Sequence, residues 1–241
     1  RLKKQILKKE EMIKILFKIL TIVIFFKDIN STKTNKNHAE LKRIIGGHTG
    51  YVNSVAVLSN GDLASGSGDQ SLKIWNPEDG SLIRTLNGHT DRVTCLAVLQ
   101  NGYLVSGSWD RTIKIWNPND GSLKRTLTGH TGSIYSLAVL SNGNLASGST
   151  DDTINIWNTN NGSLIRTLTG HSGWVYSLAA LPNNLLASGS MDKNIRIWNQ
   201  NDGSLIRTLS GHKSDVFSLT VLSNGYLASG SGILDRTIRI W

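Results

Sequence analysis

One spacing governs this chain of 241 residues. Gly-His dipeptides place histidine at 48, 89, 130, 171 and 212, each 41 residues after the last. An Ile-Trp pair closes every copy, with tryptophan at 75, 116, 157 and 198 on the same step and a final one, Trp241, two residues late. That delay is local: Gly232-Ile233-Leu234-Asp235 stands where the second copy has Trp109-Asp110. A unit of this length buries too little surface to fold alone, so units must stack and share their cores. A period of about 40 to 45 residues is one that stacks of four-stranded sheets around an axis use.

The strands follow from the turns. Residues 52–58 and 62–66 are β-branched or small-residue runs that meet at Asn60-Gly61, the two-residue hairpin signal. Asn101-Gly102, Asn142-Gly143 and Asn224-Gly225 repeat it, and Asn183-Asn184 replaces it in the fourth copy, where Asn can also take positive φ. Residues 72–75 and 82–86 meet through Asp79-Gly80, with equivalents at Asp120-Gly121, Asn161-Gly162 and Asp202-Gly203. Each copy therefore holds four antiparallel strands.

Every copy also carries a histidine, a serine, an aspartate and a tryptophan at matching offsets. The sets are His48, Ser65, Asp69 and Trp75, then His89, Ser106, Asp110 and Trp116, then His130, Ser147, Asp151 and Trp157. The fourth is His171, Ser188, Asp192 and Trp198, and the fifth His212, Ser229, Asp235 and Trp241. With these motifs the chain resembles the WD-repeat (WD40-type) family of β-propellers over residues 41–241. The resemblance implies an all-β fold, a propeller of four-stranded antiparallel blades, with repeats at about 41–82, 83–123, 124–164, 165–205 and 206–241. It also implies that each tetrad is a buried chain of hydrogen bonds running from Trp through Ser and His to Asp, which pins one loop to the next strand. The family's Trp-Asp dipeptide is Trp-Asn here, at Asn76, Asn117, Asn158 and Asn199, which leaves the tetrad aspartate untouched.

Ser, His and Asp together invite a hydrolase reading, but five equal copies argue against it, and no Gly-x-Ser-x-Gly elbow occurs. The expectation is a chain that is not an enzyme. No copy pairs its histidine with a second His or a Cys at ligand spacing, and no phosphate-binding glycine loop follows a strand, so neither metal nor cofactor is expected. The single cysteine, Cys95, lies in an apolar strand and reads as a buried structural thiol.

Net charge is +9, yet residues 1–43 hold 12 basic and 4 acidic side chains, leaving 14 against 13 for the repeats. The basicity belongs to the N-terminal segment, so the repeats offer no general field for nucleic acid or an anionic membrane. In residues 1–38, Lys, Ile, Asn and Phe make up 22 positions with no Gly, Pro or Ala, a bias that also fits a misassigned gene start. Residues 1–40 read as a basic, apolar segment and linker, disordered or helical; the uncharged run at 19–26 is too short to cross a bilayer and lacks a signal-peptide cleavage site. A cytoplasmic location is expected. Residues 41–45 align with 82–86, so they read as a displaced outer strand that would complete the fifth blade after Trp241 and could close a ring of five. The preferred reading is part of a larger propeller, with the chain itself a fragment.

Three positions vary freely between copies while the scaffold hardly changes: two that flank the first apolar residue of the first strand, and the one before each tetrad aspartate. They bring in Tyr51, Arg92, Trp109, Tyr135, Trp174, Tyr176, Met191 and Phe217, types enriched in interface cores. The resemblance places them on the top face, around the mouth of the channel. The function expected is a protein-protein interaction scaffold that holds a protein or peptide partner there, or else the substrate-recognition propeller of a longer enzyme or ubiquitin-ligase adaptor.

Overall fold

The structure, a computed structural model, describes residues 41–241. The helix and signal-peptide readings of the N-terminal segment fall outside these residues. Among the described residues, nineteen strands form five antiparallel sheets. The first sheet runs β1 (Val52–Val57), β2 (Leu63–Ser67), β3 (Leu72–Trp75) and β4 (Leu82–Leu86), and the second β5 (Val93–Val98), β6 (Leu104–Ser108), β7 (Ile113–Trp116) and β8 (Leu123–Leu127). The third holds β9 (Ile134–Val139), β10 (Leu145–Ser149), β11 (Ile154–Trp157) and β12 (Leu164–Leu168). The fourth holds β13 (Val175–Leu181), β14 (Leu185–Ser190), β15 (Ile195–Asn199) and β16 (Leu205–Leu209). The fifth has three strands, β17 (Val216–Val221), β18 (Leu227–Ser231) and β19 (Ile238–Ile240). Each sheet is one blade.

The core lies between blades. Leu72, Ile74 and Leu86 of the first pack with Val93, Leu104 and Trp116 of the second, and the same layer recurs at each of the next three junctions. Glycine makes the approach close enough. A Cβ on Gly66 would lie 2.6 Å from Val93 Cγ1, so a side chain there would push the blades apart. Polar groups bridge the same gap: Asn53 Nδ2 donates to Val93 O at 2.8 Å, and Ser54, Ser136 and Ser177 hydroxyls accept from Leu96, Leu178 and Leu219 N–H. Further out, Arg84 donates to the carbonyls of Asn119 and Asp120 at 2.8 and 3.1 Å, clamping the next blade's turn.

Two expectations are corrected. Asn60-Gly61 does not form a two-residue hairpin: Leu58 N donates to Asp62 O and Gly61 N to Leu58 O, so the loop has three residues with Gly61 alone at φ 91°. In the fourth blade Leu181 pairs with Leu185, so that loop also holds three residues, but there Asn183 and Asn184 are both left-handed at φ 58° and 56°. Nor do residues 41–45 complete the fifth blade. They form no strand, because β17 has no packing against β1 comparable with that of β1 on β5 or β13 on β17, and the segment stays with the first blade. Its Arg43 donates to Asp79 O and Glu78 O at 2.7 and 2.5 Å, as Arg84 does one blade on. The sheets thus form an open array, not a closed ring of five.

The arginine clamps give a first prediction. Arg84 is anchored on a paired strand and half-buried, so Arg84→Ala is expected to cost about 1–3 kcal/mol in chemical denaturation, whereas Arg43→Ala, on an exposed unpaired segment, costs less than about 1.

Candidate functional site

Two polar and aromatic constellations stand out, one inside each blade and one across the blades. In the first, Trp75 Nε1–H donates to Ser65 Oγ at 2.7 Å, Ser65 Oγ–H donates to His48 Nε2 at 2.7 Å, and His48 Nδ1–H donates to Asp69 Oδ2 at 2.8 Å. The tautomer follows from the network, since Asp can only accept. The other blades repeat it: Trp116, Trp157, Trp198 and Trp241 donate to Ser106, Ser147, Ser188 and Ser229 at 2.8–2.9 Å. His89, His130 and His171 lie 2.7–2.8 Å from their aspartates, and His212 bonds Asp235.

The carboxylates carry a fifth partner that the sequence reading missed. Ser71, Thr112 and Thr153 hydroxyls donate to the second carboxylate oxygen at 2.6–2.7 Å, and all lie two residues after the aspartate, so the 41-residue step marked them too. In the fourth blade Asn194 stands at that position, and Arg196 Nη1 donates to Asp192 Oδ2 at 2.6 Å instead.

Chemically, each serine oxygen is committed to tryptophan and histidine and is buried, so no substrate atom reaches it. Burial opposes ionisation of Asp69, Asp110, Asp151 and Asp192, but the hydrogen bonds from histidine, hydroxyl, guanidinium and backbone N–H outweigh it and hold all four well below the usual carboxylate range. The His212 hydrogen bond, against a smaller burial effect, lowers Asp235 to about 2. A depressed folded-state value means stability that is present above the unfolded pKa, about 4, and lost as pH falls through the folded values. Thermal midpoints are therefore expected to drop steeply below pH 4, and Asp151→Asn to flatten that drop.

The second constellation joins most of the variable positions. In four copies the residue before the tetrad aspartate donates its N–H to the carbonyl of the first variable residue: Gly68 to Tyr51, Trp109 to Arg92, Thr150 to Ser133 and Met191 to Trp174, at 2.8–3.0 Å, whereas in the enlarged fifth loop Gly232, three residues before Asp235, makes the bond to Asp215 O at 3.0 Å. The two variable side chains of a blade are thereby held together. Arg92 Cζ lies 4.6 Å from the Trp109 ring centre. From Trp109 the rings continue through Tyr135 at 6.2 Å to Trp174 at 6.2 Å, while Tyr176 touches both Tyr135 and Trp174 and reaches Phe217 at 4.8 Å. Arg92, Trp109, Tyr135, Trp174, Tyr176 and Phe217 thus form one array over four blades. Met191 is exposed beside Trp174. Tyr51 is exposed but joins no ring of the array.

Depth divides these residues. Trp174 is 39% exposed, whereas Tyr176, two residues on, is 3% exposed and serves as packing beneath it. Trp109 Nε1–H is buried without an acceptor. The sequence reading also missed the loop residues Gln70, Arg111, Asp152, Lys193 and Arg236, which follow the tetrad aspartates at φ 55° to 72° and differ in every copy but the pair of arginines. Inner-strand residues including Ser54, Cys95, Leu137 and Ser177, together with Phe217 of the array, line a cavity of about 210 Å³. Among the described residues, no group of three or more His, Cys, Asp or Glu is placed to hold a metal ion, and no helix is long and apolar enough to cross a membrane.

Comparison with known proteins fits this geometry. The WD domain, G-beta repeat (WD40), matches residues 39–76, 80–117, 121–158, 162–199 and 203–241. Pre-mRNA-splicing factor prp46 of Emericella nidulans and that of Aspergillus fumigatus are each 50% identical over 44 residues, 18% of this chain and 10% of theirs. The structure of U3-55K matches at 26% identity with a TM-score of 0.76, covering 83% of this chain and 63% of that one. The chain spans about a tenth of the splicing factors and under two thirds of U3-55K. Five matched repeats running through five blades show that the chain belongs to the WD40 family.

Proposed function

We infer that the chain is a non-enzymatic scaffold that holds a protein or peptide on the face built by Arg92, Trp109, Tyr135, Trp174, Met191 and Phe217. The observation that carries this reading is the ring-to-ring array across four blades, which spends large aromatic side chains where the repeated scaffold needs none. Stiff rings offer broad contact area at small entropic cost. The tetrads, committed internally, hold that face in place.

A protein is favoured over RNA because the repeats are nearly neutral. The relatives named for pre-mRNA splicing direct the search for the partner to RNA-processing proteins, and they weigh against the cytoplasmic expectation, splicing being nuclear. The test is affinity capture with the chain as bait, followed by titration of each captured protein against wild type and Trp174→Ala. Undiminished binding by the variant, or capture that is abolished by nuclease, would overturn the reading.

A further inference from the structure

A gap between the first two blades opens at the end opposite the aromatic array. The array sits at the start of the first strands, whereas the loops that follow β1, β5 and β7 meet at the other end. They surround a cavity of about 450 Å³, a size within the range of small-molecule sites, about 300–1,000 Å³. One position decides whether such a gap is filled. In the third blade Thr159 holds the place of Pro118, and its hydroxyl donates to Gly143 O at 3.0 Å. In the fourth Gln200 stands there, buried, with Nε2–H donating to Leu185 O at 2.7 Å and Oε1 accepting from Ser141 of the neighbouring blade at 3.2 Å. The Pro118 ring can make neither bond, and the cavity lies beside it.

The lining carries no Lys, Arg, His, Asp or Glu, so it offers no ion pair to a phosphate, a carboxylate or an amine. It offers carboxamides, which both donate and accept. Asn60 and Asn117 are held by neighbouring carboxylates, their Nδ2 groups donating to Asp62 Oδ2 and Asp120 Oδ2 at 2.7 and 2.9 Å, and each keeps a second N–H. Groups fixed before a ligand arrives lose little freedom when it binds. Gln100 and Asn119 add exposed amides, and Ser59 an exposed hydroxyl. Between them the half-buried Tyr103, which stands where the third blade has Asn144, packs on the core of its own blade and brings a flat apolar ring to the cavity beside Pro118. Hydroxyl-matching amides around an apolar platform suit a ligand with hydroxyls on its edge and C–H groups on its face. We propose that this cavity binds an uncharged mono- or disaccharide, its ring lying on Tyr103 and Pro118 and its hydroxyls bonded by Asn60, Gln100, Asn117 and Asn119. The site shares no residue with the aromatic array.

Saturation-transfer NMR of the full chain with glucose, galactose, N-acetylglucosamine, maltose and cellobiose reads the site directly. Transfer to at least one of these sugars at millimolar concentration is expected for wild type. Pro118→Gln puts into the gap the side chain that fills it in the fourth blade and is expected to abolish the transfer. Tyr103→Asn, carrying the third blade's residue, is expected to weaken binding about tenfold in Kd through loss of the ring face. Both variants import residues that the same fold already holds and are expected to melt cooperatively, while Trp174→Ala is expected to bind the sugar as wild type does. No transfer to any of the five sugars, undiminished transfer in either folded variant, or tighter binding of glucose 6-phosphate than of glucose would each overturn the proposal.

Discussion

Replacing His130 with alanine is expected to lower the free energy of unfolding by about 1–3 kcal/mol. The change strips Ser147 Oγ–H of its acceptor and Asp151 of a donor, and Ser147 is fully buried, so water does not replace the lost partner. Asp151→Ala is expected to cost at least as much, because it orphans the N–H groups of Thr131 and Thr153 together with the Thr153 hydroxyl. Against a typical total of about 5–15 kcal/mol, either loss is large. Denaturant midpoints measure it, and unchanged midpoints in both variants would remove the structural role assigned to the tetrads.

The second large effect is on binding. Trp174→Ala is expected to weaken the partner by about 2 kcal/mol, roughly thirtyfold in Kd, with little change in the melting temperature. The separation of binding from stability rests on depth: Trp174 offers an exposed ring supported from below by Tyr135 and Tyr176. Tyr176→Ala is the control, since deletion of this buried ring is expected to cost about 3 kcal/mol of stability. Equal destabilisation by the two substitutions would mean that Trp174 is packing and not a contact surface.

The physics of stacking explains which features the sequence made plain. Each blade meets neighbours like itself, so position by position it needs the same residue, and the tetrads, the Ile-Trp strands and the outer strands all repeat on one step. Departures from the step then point to the exposed face, which is how Trp109, Tyr135 and Trp174 emerged. Depth was not legible. Trp174 and Tyr176 vary alike, and only the positions of the adjoining blades bury one and expose the other. The pairing of residues 41–45 was hidden for a related reason: sequence says which strand they imitate, but whether β19 lies within reach depends on the angle accumulated over five blades. Turn type was misread because Asn60-Gly61 sits in a three-residue loop closed by Leu58 and Asp62, and the dipeptide alone does not reveal where the flanking strands stop pairing.

The matched repeats are out of phase with the sheets. Residues 80–117 begin on β4, the outer strand of the first blade, and end after β7, the third strand of the second. As the chain leaves the ribosome, each new repeat first closes the sheet behind it and then lays down three strands of the next. A blade is thus completed only by material that also starts its successor, and until the fourth strand is emitted the third stands as an unpaired edge. Growth in this order covers the edge of each third strand with the strand emitted next, and a pause in translation just past the third strand of a blade leaves that edge bare.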